Sequence, residues 1–291
     1  MSHLVPAALA VAMLLSASVP TAAQQTRVDL ELVIAVDISG SVDYCEGRLQ
    51  RQGYIDAFRN PKLLEVIRNG RHGRIAVTYV EWAGWGLFRQ TVPWMVVGDA
   101  QSADAFGCTV ERWAFQSWQG TSISGALDVS RRLFSVNPFQ GDRRVIDVSG
   151  DGPNNRGLSV TYFRDLAVAE GITINGLPIL ASQGFGNVVA ELDVYYKECA
   201  IGGPGAFVIA AQNFETFAEA ILRKLILEVA DIRPSDVQRH PEVIAAQFLQ
   251  PGRPGAGAPQ GPLLDAPPKY YPYCDSPNNN RPTIFPVPGD F

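Results

Sequence analysis

Leu30-Glu31-Leu32-Val33-Ile34-Ala35-Val36, followed at once by Asp37-Ile38-Ser39-Gly40-Ser41, is the stretch that decides the fold. Residues 30–36 form a nearly unbroken apolar run of strand length, interrupted only by Glu31, as expected of a central parallel strand covered on both faces. The run stops at Asp37, where one carboxylate and two hydroxyls follow at alternate positions. Working outward, residues 43–59 read as a helix with Leu49, Tyr54, Ile55 and Phe58 among its apolar positions and Pro61 closing it. Residues 74–82 read as a strand, Gly84-Trp85-Gly86 as a turn, and residues 88–97 as a returning strand, where Pro93 suits a sheet edge. Residues 122–134 are a helix with Ile123, Ala126, Leu127 and Leu133 on one side; residues 144–148 are a short strand, and residues 160–170 a helix stopped by Gly171. Two more strands, 172–177 and 206–210, and a final amphipathic helix at 214–229 complete the series. Strands alternating with helices predict an α/β fold of Rossmann-like type: a doubly wound, mostly parallel sheet with helices on both faces and one antiparallel edge strand. Such sheets bind ligands at the carboxyl ends of their strands.

The chain has 291 residues, 46% of them hydrophobic, which suffices for one packed α/β domain with tails. A net charge of −5 offers no basic face to nucleic acid or to an anionic lipid surface. Residues 1–23 combine an apolar run at 4–19 with Pro20 and Thr21-Ala22-Ala23, the pattern of a secretory signal peptide cleaved after Ala23. The run is shorter than the ~20 residues of a spanning helix, and no later run is long and unbroken enough to cross a bilayer. The expected organisation is a signal peptide at 1–23, a domain at 24–232 and a tail at 233–291. The tail is rich in Pro and Gly, as in Pro251-Gly252-Arg253-Pro254-Gly255, and its composition predicts disorder, apart from a short helix at 243–249 and a sticky Tyr270-Tyr271-Pro272-Tyr273 cluster.

Export places Cys45, Cys108, Cys199 and Cys274 in an oxidising compartment, and their spacing lacks the C-x-x-C pattern of a zinc site. Three pairings exist. Cys45 with Cys108 and Cys199 with Cys274 is the preferred one, because the second bond would tie the tail to the domain; free buried thiols are the alternative.

Three loops carry the chemistry. Asp37-Ile38-Ser39-Gly40-Ser41 leaves the first strand at its carboxyl end, Gly120-Thr121-Ser122 places a hydroxyl at a helix start, and Ser149-Gly150-Asp151-Gly152 supplies a carboxylate after the strand at 144–148. In this combination, D-x-S-x-S, then a Thr, then Asp-Gly, the chain resembles the metal-ion-dependent adhesion site of von Willebrand factor type A domains. The resemblance spans residues 28–230 and implies that Ser39, Ser41 and Thr121 are hydroxyl ligands, while Asp37 and Asp151 reach the metal directly or through water. One departure is Gly150, where that family commonly carries Thr. More narrowly, Ala35-Val36-Asp37-Ile38-Ser39-Gly40-Ser41, Thr78-Tyr79-Val80-Glu81-Trp82, Val145-Ile146-Asp147-Val148-Ser149-Gly150-Asp151-Gly152-Pro153-Asn154-Asn155 and Ile201-Gly202-Gly203-Pro204-Gly205-Ala206-Phe207 resemble an exported bacterial branch, domain of unknown function 1194. That implies a periplasmic or secreted bacterial protein.

These residue types suit Mg²⁺, a hard cation that prefers six oxygen ligands and keeps several waters, with Mn²⁺ and Ca²⁺ as alternatives. Few charged ligands leave the ion electrophilic, so a carboxylate from a protein partner can replace a water and complete the shell. Trp85 on its Gly-flanked turn, with Asn154 and Asn155 after the third loop, are candidates for a partner-binding rim. Glu81 and Asp147 read as structural. No catalytic residue is expected. The nearest enzymatic reading is a Mg²⁺-dependent phosphatase of haloacid dehalogenase type, which needs a second acid two residues after Asp37, where this chain has Ser39. A structural domain without metal is the other alternative. Oligomeric state is left open.

Overall fold

The apolar run is the core of β1 (Thr26–Asp37), the middle strand of a five-stranded sheet. The computed structural model describes residues 25–180 and 192–232, together with 234, 236 and 274. Beside β1 stand β2 (Ile75–Trp82), β3 (Phe88–Val97), β4 (Phe139–Gly150) and β5 (Thr173–Pro178), in the order β3-β2-β1-β4-β5. β1 pairs in parallel with β2 and β4, and β4 with β5; only β3 runs antiparallel, against β2. The expected fold class is the one found, with Pro93 in the antiparallel edge strand, where a missing N–H costs no inner ladder bond.

Helices cover both faces: α1 (Tyr44–Arg59), α2 (Pro61–Arg68), α3 (Ala100–Glu111), α4 (Ile123–Leu133), α5 (Val160–Ala169), α6 (Leu192–Tyr195) and α7 (Phe217–Ala230). The period of two in β1 decides which residue faces which layer. Leu30, Leu32, Ile34 and Val36 enter one core with α1, α2, α3 and α7, whereas Val33 and Ala35 enter a second with α4, α5 and α6. Glu31, the polar interruption, is buried, and its carboxylate accepts from Asn137 Nδ2 at 2.8 Å and from the Gly141 N–H at 2.6 Å, fastening the start of β4. α1 begins at a capping box in which Asp43 Oδ1 accepts from the Glu46 N–H at 2.8 Å and Glu46 Oε2 from the Asp43 N–H at 2.9 Å.

Several elements differ from the sequence reading. Pro61 ends α1 and also opens α2, as its first residue behind the cap Asn60. α3 begins at a second capping box, Asp99 with Ser102, that the weak amphipathic pattern of 100–111 did not reveal. Residues 206–210, expected to be a strand, make only isolated bridges to the β5 side, Val208 with Gly176 and, just beyond, Ala211 with Ile179. The two bridges share one parallel register, and Pro178 between them has no N–H to donate, so the ladder is interrupted there.

The Cys199–Cys274 bond forms, with Cα atoms 5.4 Å apart, but Cys45 and Cys108 are both unbonded and exposed, which corrects the expected Cys45–Cys108 bridge. Gly107 packs against Ile55 and Arg59 late in α1. Cys45 lies ten residues before Ile55, so about 15 Å of helix, at ~1.5 Å per residue, separates its level from that of Cys108. The segments 1–23, 243–249 and 270–273 lie outside the described residues. Among the described residues no helix is long and apolar enough to cross a membrane.

α7 is locked to the sheet by buried charge. Lys224 Nζ lies 2.6 Å from Asp147 Oδ1 on β4 and also pairs with Glu228, while Asn175 Nδ2 on β5 donates to Glu228 Oε1 at 2.9 Å. Burial, helped by the Asp147 charge, pushes Glu228 from 4.5 up to about 7. Removing the cation strands two buried acids, so Lys224→Met is expected to cost about 3–5 kcal/mol in urea unfolding. A folded-state pKa above the unfolded one means that the native protein holds a proton the unfolded chain has released. The contribution of Glu228 is therefore greatest in acid and is lost as pH rises from 4.5 to about 7. Glu228→Gln should flatten that decline when unfolding free energy is measured across the window.

Candidate metal centre

The parallel register of β1 and β4 pairs Val36 with Ser149, so the loops that leave the two strands emerge side by side at their carboxyl ends. In the first loop the Ser39 N–H donates to Asp37 Oδ1 at 2.7 Å, and the Ser39 and Ser41 hydroxyl oxygens are 3.2 Å apart. The Ser41 hydroxyl donates across to Asp151 Oδ1 at 2.7 Å. Asp37, Ser39, Ser41 and Asp151 thus form one connected set although 110 residues separate Ser41 from Asp151. The second loop is stitched to the first: the Trp118 N–H donates to the Ile38 carbonyl and the Ser117 hydroxyl to the Ser39 carbonyl, both at 3.0 Å. It is also stitched to the third, because the Thr121 N–H donates to Asn155 Oδ1 at 2.9 Å and the Asn155 N–H to the Thr121 carbonyl at 2.8 Å. Thr121, itself buried, is held between the two carboxylate loops.

Electrostatics single out Asp37. It is 0% exposed, and its Oδ2 has no hydrogen-bond partner among the described residues. Burial first, and the Asp151 charge second, push the Asp37 carboxyl well above the usual range, against the bonds from Ser39 that pull it down. Burial raises Asp151 too, while the bond from Ser41 opposes the shift. Two buried acids whose charges act on one another, with hydroxyls around them, make a donor set that a hard divalent cation would fit, supplying the missing positive charge.

Gly150, where the resemblance leads one to expect Thr, has a local explanation. A Cβ on Gly150 would stand 2.7 Å from Asp37 Oδ2 and 2.8 Å from the Tyr196 hydroxyl oxygen. The phenol of Tyr196, fully buried, fills the place of the absent side chain, and burial with the nearby Asp37 and Asp151 charges pushes its pKa well up. Tyr195 assists, its hydroxyl oxygen accepting from the Asn154 N–H at 3.3 Å. Both tyrosines stand at the junction of α6 with a π-helical turn, Tyr196–Ala200, that nothing in the local sequence announces.

Behind the loops lies a support equally invisible to motif reading. Gln50 Nε2 on α1 donates to the Asp37 carbonyl at 3.3 Å. Glu81, structural as read, receives Arg51 Nε at 2.8 Å and Arg89 Nε at 3.2 Å. Arg89 lies over the rings of Trp113 and Trp118, 5.1 and 5.7 Å from their centroids, and so anchors the segment that leads into Gly120 and Thr121.

Of the rim candidates, Trp85 is 42% exposed, with its ring 5.5 Å from that of Phe163, and Asn155 is exposed although its Oδ1 is committed to Thr121. Asn154 is a correction. It is only 2% exposed and its side chain turns inward, Oδ1 accepting from the Ser124 N–H at 3.1 Å and Nδ2 donating to the Leu158 carbonyl at 3.3 Å.

A central parallel sheet wrapped by helices, with this loop triad at its carboxyl end, defines a von Willebrand factor type A-like α/β domain. Two solved structures agree on the fold. The pilus adhesin SpaC from Lactobacillus rhamnosus GG superposes with a TM-score of 0.52 at 15% identity, over 71% of this chain and 30% of that one. Proximal thread matrix protein 1 from the mussel byssus, in a form described as having a zinc-occupied MIDAS motif, gives 0.50 at 16% identity over 70% and 46%. A von Willebrand factor type A structure from Catenulispora acidiphila gives 0.45 at 16%, over 70% and 43%. The chain thus spans less than half the length of each of these three proteins. More narrowly, it belongs to the family described as "Protein of unknown function (DUF1194)", whose model matches residues 27–233. No curated protein matches the sequence.

Because Asp37 and Tyr196 occupy the space beside Gly150, Gly150→Thr is expected to destabilise the fold by about 1–3 kcal/mol in chemical denaturation. Adding Tyr196→Phe, which removes one of the two crowding oxygens, should restore part of the loss.

Proposed function

We propose that this chain is an exported, metal-dependent protein-binding module in which Asp37, Ser39, Ser41, Thr121 and Asp151 hold Mg²⁺, and the ion captures a carboxylate of a protein partner. The observation that carries the reading is the buried pair Asp37 and Asp151, bridged by serine hydroxyls, with one Asp37 oxygen that no described residue satisfies. Oxygen-only donors favour Mg²⁺, and Mn²⁺ and Ca²⁺ fit the same set. The zinc-occupied MIDAS motif of the mussel protein supports a divalent ion in this place. Trp85 and Asn155 form the rim, where Trp85 offers an apolar surface to the residue beside the partner's acid. The signal-like segment at 1–23 and the Cys199–Cys274 bond support export to the periplasm or beyond, with residues 24–232 as the working domain and 233–291 as its tail.

Binding is favoured over phosphoryl chemistry by the use to which the nearby polar residues are put. Ser39 stands where a phosphatase needs an acid, and Asn155 clamps the second loop through both its N–H and its Oδ1. Titration calorimetry of the full chain with MgCl₂ tests the reading. One equivalent should bind, EDTA should strip it, and Asp37→Ala and Asp151→Ala should each abolish the heat. A wild-type chain that gives no metal heat overturns it.

A further inference from the structure

We propose a second metal site at the opposite end of β1, in which Asp29, His72 and Asp142 take a transition ion of the Zn²⁺ class. Asp29 and Asp37 lie eight residues apart, about 26 Å along a parallel strand at ~3.3 Å per residue, so the two centres are separate.

The site follows from strand register. Val28 pairs with Gly141 and Leu30 with Arg143, which sets Asp29 directly beside Asp142 on the neighbouring strand. Like charges opposed across a ladder are destabilising unless a cation lies between them. On the other side of β1 the Asp29 N–H donates to the Arg74 carbonyl at 2.9 Å, so the segment entering β2 brings His72 to the same place. His72 Nε2 lies 3.3 Å from Asp142 Oδ2, is shielded from solvent and has no hydrogen-bond partner among the described residues. One ligand atom from each of the three residues falls within 4.8 Å of the other two, the spacing of a shared coordination shell.

Asp29 is oriented before any ion arrives. Its Oδ1 accepts from the His72 N–H at 2.8 Å and its Oδ2 from the Arg74 N–H at 3.2 Å, so residues 70–74 wrap the carboxylate. A Cβ on Gly70 would press on the Asp29 carboxyl group, so a side chain there would displace it. Arg74 spends its Nε on the Arg27 carbonyl at 3.0 Å. His72 also borders a surface cleft of about 510 Å³ with Gln25, Thr26, Arg27 and Arg74.

One imidazole and two carboxylates are mixed nitrogen and oxygen donors, which favour Zn²⁺ or Ni²⁺ over Mg²⁺, and three protein ligands leave a position for water. A protonated His72 is the rival bridge between the two acids.

Zinc titration calorimetry on the full chain separates the two. Cys45→Ser and Cys108→Ser remove the exposed thiols and Asp37→Ala removes the first centre. This background should bind one equivalent of Zn²⁺, and adding His72→Gln or Asp142→Asn should weaken it by more than about tenfold. Asp29 is left intact because its carboxylate holds backbone. Circular dichroism confirms that each variant is folded. Absence of zinc heat in the background, or heat that neither variant changes, overturns the proposal. As a second readout, the His72 imidazole nitrogens should shift on zinc addition in ¹⁵N NMR; an unmoved, protonated His72 would also overturn it. Neither result bears on whether Asp37 binds Mg²⁺.

Discussion

The parallel pairing of β1 with β4 is the constraint on which the rest of the molecule depends. It brings the carboxyl end of the first strand beside that of the fourth, although more than a hundred residues of chain intervene, and so turns two unrelated acids into one site. The same ladder sets Asp29 beside Asp142 at the far end. A shift of one residue would send Leu32 and Ile34 into the wrong layer and separate the acids at both ends together. Burial of two hydrophobic cores, one on each face, is what excludes that shift.

Burying carboxylates is costly, and this domain does so in two different ways. Under α7, Asp147 and Glu228 share the buried Lys224, a compensation built entirely from the chain's own residues. At the carboxyl end of the sheet the facing acids are Asp37 and Asp151, and what surrounds them is hydroxyl and backbone N–H. Donors of that kind orient a carboxylate without neutralising it, which leaves room for the charge of an ion. The contrast separates a charge cluster that fixes α7 to the sheet from the one to which the proposed function assigns a ligand.

The loops around the site are held by charged and aromatic supports behind them. Glu81 gathers Arg51 and Arg89, Arg89 lies on two tryptophans, and that stack carries the segment leading to Thr121. Tyr196 fills the space left by Gly150, so the residue that departs from the usual pattern is compensated from an element far along the chain. Covalent linkage of Cys199, one turn beyond Tyr196, to Cys274 extends that support toward the tail.

Much of this was legible in the chain itself. The apolar run 30–36, the alternation of strand and helix signals, and Asp37, Ser39, Ser41, Thr121 and Asp151 at loop positions follow from local chemistry, because periodicity and turn residues act over a few neighbours. α3 was not legible, since its amphipathic signal is weak, and the strand expected at 206–210 is reduced to isolated bridges because Pro178, on the strand beside it, has no N–H for the ladder. The Cys45 pairing, the inward turn of Asn154, and the parts played by Gln50, Arg89 and Tyr196 depend on which surfaces meet in space. By itself the sequence determined the layers of the fold and the types of donor at the strand ends. Tertiary structure alone decided which donors face one another, how deeply they are buried and which acid lacks a partner, because desolvation and charge are properties of surroundings assembled from residues remote in the chain.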